Sequence, residues 1–281
     1  MIDTNISCGY TVKYVNITII YIHIRRPYII VVQLLRDCNG NPVNMIDPWG
    51  LEAYYIFYND INDPYNGCLK DRVEKEYNAL IKSGVSKDDI YIMMITTEKQ
   101  FLEEWAKMSN GDNPILGVAL YLHSSPRGII INADTGQSIV TQMYVDDTGD
   151  TSHKMISDLA QKRILEINLY GCNTAHLDYY DRNVAYELMY YQPQVNRVVG
   201  WDGSMRWGFF DGKPKLASSQ DYFNSWRDAA DPGSKRKPQG RIVYERQWVT
   251  YGDNWYYWEI TVRKHGTNPN TAWIINPAIY R

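Results

Sequence analysis

"ILEINLYGC", residues 164–172, is the stretch on which the fold turns: a largely apolar run that ends abruptly in a glycine and a cysteine. A nearly all-apolar strand is one buried on both faces, as in a parallel sheet covered by helices. A second run of the same kind, "ILGVALYLH" (115–123), ends in a histidine. In open parallel sheets reactive groups collect at the carboxyl ends of the strands. A thiol and an imidazole therefore stand where such a sheet keeps its chemistry.

The surrounding sequence alternates strand and helix patterns. "AYYIFYN" (53–59), "DIYIMMIT" (89–96) and "NRVVGW" (196–201) read as strands, and "GIIINADTG" (128–136) as a hairpin arm. "LKDRVEKEYNALIKSG" (69–84) is an amphipathic helix with Val73, Tyr77, Leu80 and Ile81 on one face and Gly84 as its stop signal. Helices are also expected over 97–108, capped by Thr97, and over 153–163 and 182–191. This pattern predicts an α/β fold: a mostly parallel sheet flanked by helices. The tail differs. "RIVYERQWVTYGDNWYYWEITVRK" (241–264) predicts an aromatic β-hairpin turning at Gly252-Asp253-Asn254.

Composition narrows the function. The 281 residues carry a net charge of -3, so nothing points to nucleic acid or an anionic membrane surface. Tyrosine (24) and tryptophan (9) are abundant, which suits sheets and contact surfaces. Cys8, Cys38, Cys68 and Cys172 are scattered, without zinc or disulfide spacing. No metal or organic cofactor is expected. The apolar patches of residues 15–35 are interrupted at His23, Arg25, Arg26 and Pro27, too soon for a membrane helix, and no signal peptide is evident. The basic loop 231–240 reads as a solvated connection.

The paired strand ends carry a specific chemistry. A free thiol is only slightly ionised at neutral pH, and a neighbouring imidazole takes its proton. His123 and Cys172 are 172 - 123 = 49 residues apart, room enough for the chain to return to an adjacent strand. Gly171 would let the backbone turn sharply before the thiol. The N–H groups of Cys172 and of a residue after His123 would face a developing oxyanion, each donor worth roughly 3 kcal/mol of barrier.

At these residues the chain resembles the caspase-like cysteine peptidases, which include the CHAT and gingipain groups. "ALYLHSS" (119–125) and "INLYGCNTA" (167–175) match their pattern of a hydrophobic strand ending in histidine and a later one ending in small residues and cysteine. A histidine roughly 50 residues ahead of the cysteine agrees with it. The resemblance covers about residues 53–205. It implies a caspase-like three-layer sandwich and a His123–Cys172 dyad, with an oxyanion site at Ser124 and Gly171. The chain departs from the family at Ser124, where glycine is usual. Relatives often select a basic residue with a carboxylate after the next strand, and Asp202 in "VVGWDGS" (198–204) stands there. Asp202 also reads as a turn former in Asp-Gly, as does Asp134. His153, His176 and His265 read as bystanders.

A second resemblance lies upstream. "GNPVNMIDPWGL" (40–51) resembles the junction that closes the conserved core of Rhs and YD-repeat proteins, after which a variable toxin domain begins. It implies a junction remnant over 1–51, a peptidase domain over 52–215 and a β-rich extension over 216–281. The implied protein is a bacterial secreted effector acting in the target-cell cytoplasm. Its partners would be a protein substrate, an immunity protein and the Rhs shell of a full-length parent. Release would fall between Leu51 and Glu52, cut by aspartates of the shell that are missing here.

Two other readings compete. Cys68, at the head of the 69–84 helix, could serve a papain-like or transglutaminase-type enzyme with His123 and Asn132 or Asp134. Alternatively the aromatic tail makes the chain a non-catalytic binding module.

Overall fold

The structure is a computed structural model describing residues 52–59, 69–109, 113–132, 135–148, 152–208, 213–217, 237–251 and 255–280. Its first half runs β1 (Glu52–Tyr58), α1 (Leu69–Lys82), β2 (Ile90–Met94), α2 (Glu98–Lys107) and β3 (Ile115–Tyr121). There follow β4 (His123–Ser125), β5 (Gly128–Asn132), β6 (Gln137–Val140), α3 (Gln142–Thr148) and β7 (Lys154–Met155). The second half contains β8 (Ile164–Leu169), α4 (Val184–Tyr191), β9 (Val195–Asp202), β10 (Met205–Trp207) and β11 (Pro214–Leu216). The last strands are β12 (Gly240–Tyr251), β13 (Trp255–Lys264) and β14 (Trp273–Tyr280).

Eight strands form one sheet, in the order β2-β1-β3-β8-β9-β12-β13-β14. The first five are parallel and the last three antiparallel. The fold is thus mixed α/β with a large, mostly parallel sheet and few helices. β12 pairs directly with β9, so the strands of the expected β-rich extension share this sheet. β12 and β13 pair from Ile242–Lys264 to Tyr251–Trp255, while residues 252–254 lie outside the described ones. So do the junction 40–51, Cys68 and Asp134.

Successive side chains of a strand leave on opposite faces. On one face Tyr55 and Phe57 of β1 meet Phe101 and Trp105 of α2, and the same core takes in Val184, Leu188 and Met189 of α4. On the other, Tyr54 and Ile56 meet Val73 of α1, with Trp201, Met205 and Trp207 beside them. α2 starts where Thr97 Oγ1 accepts from the Gln100 N–H at 3.1 Å. It buries Phe101 and Trp105, one helical turn apart, against Phe57, whose ring meets Phe101 edge-on at 5.2 Å. Among the described residues no helix is long and apolar enough to cross a membrane.

The helix expected over 153–163 is absent. Lys154–Met155 pairs with β6, a short 3-10 turn follows at Ile156–Asp158, and the chain is then irregular up to β8. Tertiary partners take the backbone groups a helix would use. Gln192 accepts from the Lys162 N–H at 2.9 Å and donates to the Leu159 carbonyl at 3.1 Å. Asp158 accepts from the Met155 N–H at 2.8 Å, and the Lys162 ammonium caps the Ala106 and Met108 carbonyls at the end of α2. Burial lowers the pKa of that ammonium.

Candidate active site

β3 and β8 are neighbours, and their register pairs Leu120 with Leu169. That offset, 169 - 120 = 49, is the offset between His123 and Cys172. The Tyr170 N–H donates to the Leu120 carbonyl at 2.8 Å, carrying the pairing past the end of β8. Three residues beyond Leu120 and Leu169 come His123 and Cys172, each just past the carboxyl end of its parallel strand. Both line one small cavity of about 20 Å³, with Leu69, Leu122, Tyr170, Gly171, Met205 and Trp207. Each is half-buried.

At Leu122 the chain leaves the large sheet. His123 opens β4, which belongs to a second sheet of order β4-β5-β6-β7. Ser124 stands opposite Gly171. A Cβ on Gly171 would come within 2.1 Å of Ser124 Oγ and 2.5 Å of the Leu122 carbonyl oxygen. The glycine is required by this close approach. The sharp turn itself falls at Asn173, whose φ is 56°. Ser124 Oγ uses the space to donate to the Cys172 carbonyl at 2.8 Å. The loop carrying the imidazole is thereby tied to the loop carrying the thiol.

The cysteine loop is further pinned to the end of β9. Asn173 and Gly203 exchange two hydrogen bonds of 3.0 Å, one through the Asn173 side chain. Thr174 Oγ1 accepts from the Trp201 N–H at 2.9 Å, and the Ala175 N–H donates to the Trp201 carbonyl at 2.9 Å. Cys172 Sγ accepts from the Met205 N–H at 3.4 Å.

Asp202 is only 1% exposed, and its carboxylate accepts from the Leu177 N–H at 3.1 Å and the Gln239 N–H at 2.7 Å. It joins the cysteine loop to the start of β12. Both of its oxygens thus accept from backbone N–H groups, as suits a carboxylate that joins loops. His176, 1% exposed, accepts from the Asp178 N–H through Nδ1 and caps a short turn. His153 sits between Glu98 Oε1 at 3.3 Å and the Tyr144 hydroxyl at 3.4 Å. His265, at the end of β13, has its pKa lowered by burial and by Arg241. Asn132 accepts from the Thr135 N–H at 3.3 Å, as a turn residue does.

Sequence reasoning missed a second cavity beside the first, of about 180 Å³, lined by Arg72, Lys75, Glu76, Tyr121, Tyr170, Trp207, Lys213 and Pro214. Tyr170 and Trp207 line both cavities. Tyr121, Tyr170 and Trp207 pack as a wall, with centroids 4.4, 5.7 and 5.4 Å apart. Tyr54 and Tyr121 donate to the two oxygens of Glu76 at 3.0 and 3.3 Å. Burial first, with Glu76 contributing, raises the pKa of Tyr54, Tyr121 and Tyr170. The one signal in the sequence was Glu76 itself, a charge between Val73 and Tyr77 on the apolar flank of α1.

Comparison with known protein families, curated proteins and solved structures found no match to this chain.

Proposed function

We propose that the chain is a caspase-like cysteine endopeptidase, the toxin tip of an Rhs-type effector, working through His123 and Cys172. The observation that supports the reading is the shared offset of 49 residues, by which His123 and Cys172 follow neighbouring strand ends and line one cavity. In the reaction, His123 takes the thiol proton and Cys172 Sγ bonds to the peptide carbonyl carbon. The tetrahedral intermediate collapses as His123 returns that proton to the leaving amine. Water then gives a proton to His123 and its oxygen to the acyl carbon. The C–S bond breaks and the thiolate is restored.

The oxyanion would be held by the N–H groups of Cys172 and Ser124. The two-residue turn at Pro126–Arg127 closes on the pair Ser125–Gly128. By the alternation of an antiparallel ladder, Ser124–Ile129 is then the pair without mutual hydrogen bonds. The Ser124 N–H is thus directed away from β5. Serine replaces the usual glycine without filling the site, because its hydroxyl occupies the space Gly171 leaves. Release between Leu51 and Glu52 would leave β1 whole, since that strand begins at Glu52.

The test is cleavage of target-cell proteins by residues 52–281, comparing Cys172→Ala, His123→Ala and Cys68→Ala, with new N-termini mapped by mass spectrometry. Loss with the first two and retention with the third is the expected result. Activity that survives Cys172→Ala refutes the dyad, and activity lost only with Cys68→Ala moves the nucleophile there.

A further inference from the structure

We infer that β2, at one edge of the large sheet, is the docking surface for a second copy of this chain, the two β2 strands pairing antiparallel about a two-fold axis through Ile92. The inference is independent of the peptidase reading.

The edge is unguarded. β2 ends the order of the sheet and reads Ile90-Tyr91-Ile92-Met93-Met94, without a charge, a proline or a glycine. Natural edge strands are commonly blunted by such residues. Tyr91, Ile92 and Met94 are 46%, 43% and 44% exposed, large values for apolar side chains on a regular strand. Both faces contribute. Tyr91 lies on the α2 face, stacked on Tyr55 at 4.9 Å, while Ile92 and Met94 share the α1 face with Ile90.

Hydrogen bonding decides the occupant. The Ile95 N–H donates to the Tyr58 carbonyl at 2.7 Å, across to β1. Successive residues of a strand turn their N–H and C=O groups to opposite sides. Tyr91 and Met93 therefore face β1, and Ile90, Ile92 and Met94 face outward. Among the described residues two of these outward groups are engaged: the Ile90 N–H donates to the Lys87 carbonyl, and the Met94 carbonyl accepts from Gln100 Nε2 at 2.9 Å. Ile92 alone can exchange both of its bonds, so the axis passes through it. A two-fold there sets Ile90 opposite Met94 of the second copy. The N–H of that Ile90 and the carbonyl of that Met94, which would face each other, are the groups already engaged within their own chains. The Ile90 carbonyl, both groups of Ile92 and the Met94 N–H all find partners on the other copy, as backbone groups require. An unrelated strand would instead leave a carbonyl opposite Ile90 and an N–H opposite Met94 unpaired. The side chains match as well. Ile92 meets its own copy, and Tyr91 meets Met93, ring against thioether. Five residues a side are far fewer than the roughly 20–30 of a standard interface, so the pairing depends on concentration.

The test uses the full chain. Sedimentation across a concentration series should show a reversible monomer–dimer equilibrium. Hydrogen exchange should protect the Ile92 and Met94 N–H groups only where dimer is populated. Ile92→Lys and Ile92→Glu each set like charges opposite one another on the axis, and either alone should weaken the dimer roughly 10-fold or more. A mixture of the two should dimerise again, a gain that misfolding does not produce and that only a residue facing its own copy allows. A monomeric wild type overturns the inference: protected amides would then show another segment of this chain on the edge, and open ones would leave it to a different protein. A dimer that both variants preserve lies on another surface and overturns it equally. So does a mixture that stays monomeric.

Discussion

Gly171→Ala is the sharpest test of how the two loops are joined. The new methyl would lie 2.1 Å from Ser124 Oγ and 2.5 Å from the Leu122 carbonyl oxygen. The first clash has an escape. Ser124 can rotate, giving up its 2.8 Å bond to the Cys172 carbonyl, at a cost of about 1 kcal/mol. The second has none, because backbone must move, and overpacking of this kind costs about 1–3 kcal/mol. The sum is roughly 2–4 kcal/mol, large against a typical domain stability but short of unfolding the protein. Urea unfolding of wild type, Gly171→Ala, Ser124→Ala and the double variant completes a double-mutant cycle. Ser124→Ala alone should cost about 1 kcal/mol. The double variant should cost clearly less than the two single changes added, since they compete for one space. Strict additivity, or a Gly171→Ala cost under about 0.5 kcal/mol, would refute the close approach and, with it, the account of why serine is tolerated after His123.

Other expectations follow from the same geometry. Asp202→Asn turns one acceptor into an amide donor facing a backbone N–H; urea unfolding should show a loss of about 2–3 kcal/mol. Asn173→Ala forces a Cβ residue without local hydrogen bonding into φ near 56° and removes the acceptor of the Gly203 N–H. It should cost roughly 2–3 kcal/mol, and Asn173→Gly should recover part of this in the same assay. The phenols of Tyr54, Tyr121 and Tyr170 have folded-state pKa values above the ordinary one, through burial first and then through Glu76 and neighbouring phenols. The unfolded chain loses these protons near pH 10 and the folded one keeps them. Their contribution is therefore complete below pH 10 and lost above it, by about 1.4 kcal/mol per pH unit for each phenol. Unfolding free energy measured between pH 8 and 11.5 should bend downward near 10; a flat profile would contradict the burial of this cluster.

The parallel core was legible because its strands announce themselves. Residues 115–121 are apolar throughout and 164–169 are apolar except for Glu166 and Asn168, as fits strands covered on both faces. The Thr97 cap was legible for a local reason, a hydroxyl three residues ahead of an amide it can reach. The misread segment 153–163 shows where local signals end. Its apolar positions Ile156 and Leu159 have helical spacing and are buried, but Gln192, thirty residues away from Lys162, takes the backbone hydrogen bonds. Asp202 is a related case. In sequence it stands just past a strand, where a substrate-reading carboxylate would be. Its actual partners are the amides of Leu177 and Gln239, which only the folded chain brings together. Arg72 and Glu76 were hidden by their spacing, which on an isolated helix reads as an ordinary i,i+4 surface pair.

Serine after the histidine is the feature that first argues against a caspase-like site, and the packing turns it into an argument about construction. If residue 124 were glycine, the 2.8 Å bond between the His123 and Cys172 loops would be lost, leaving the register of β3 and β8 to align them. That register fixes distance along the strands but leaves the two loops free to move apart beyond their ends. The Ser124 hydroxyl supplies the missing constraint, and it can do so only because residue 171 has no Cβ. The Ser124 hydroxyl and the absent side chain of Gly171 therefore make one contact between them. A dyad needs its groups held within a fraction of an ångström while charge moves between them. A hydrogen bond between the two loops provides that more directly than a flexible glycine does. Exchanging the pair, Ser124→Gly together with Gly171→Ser, should therefore restore folding stability better than either single change. It should restore the alkylation rate of Cys172 less well, because the hydroxyl would then leave from the wrong loop.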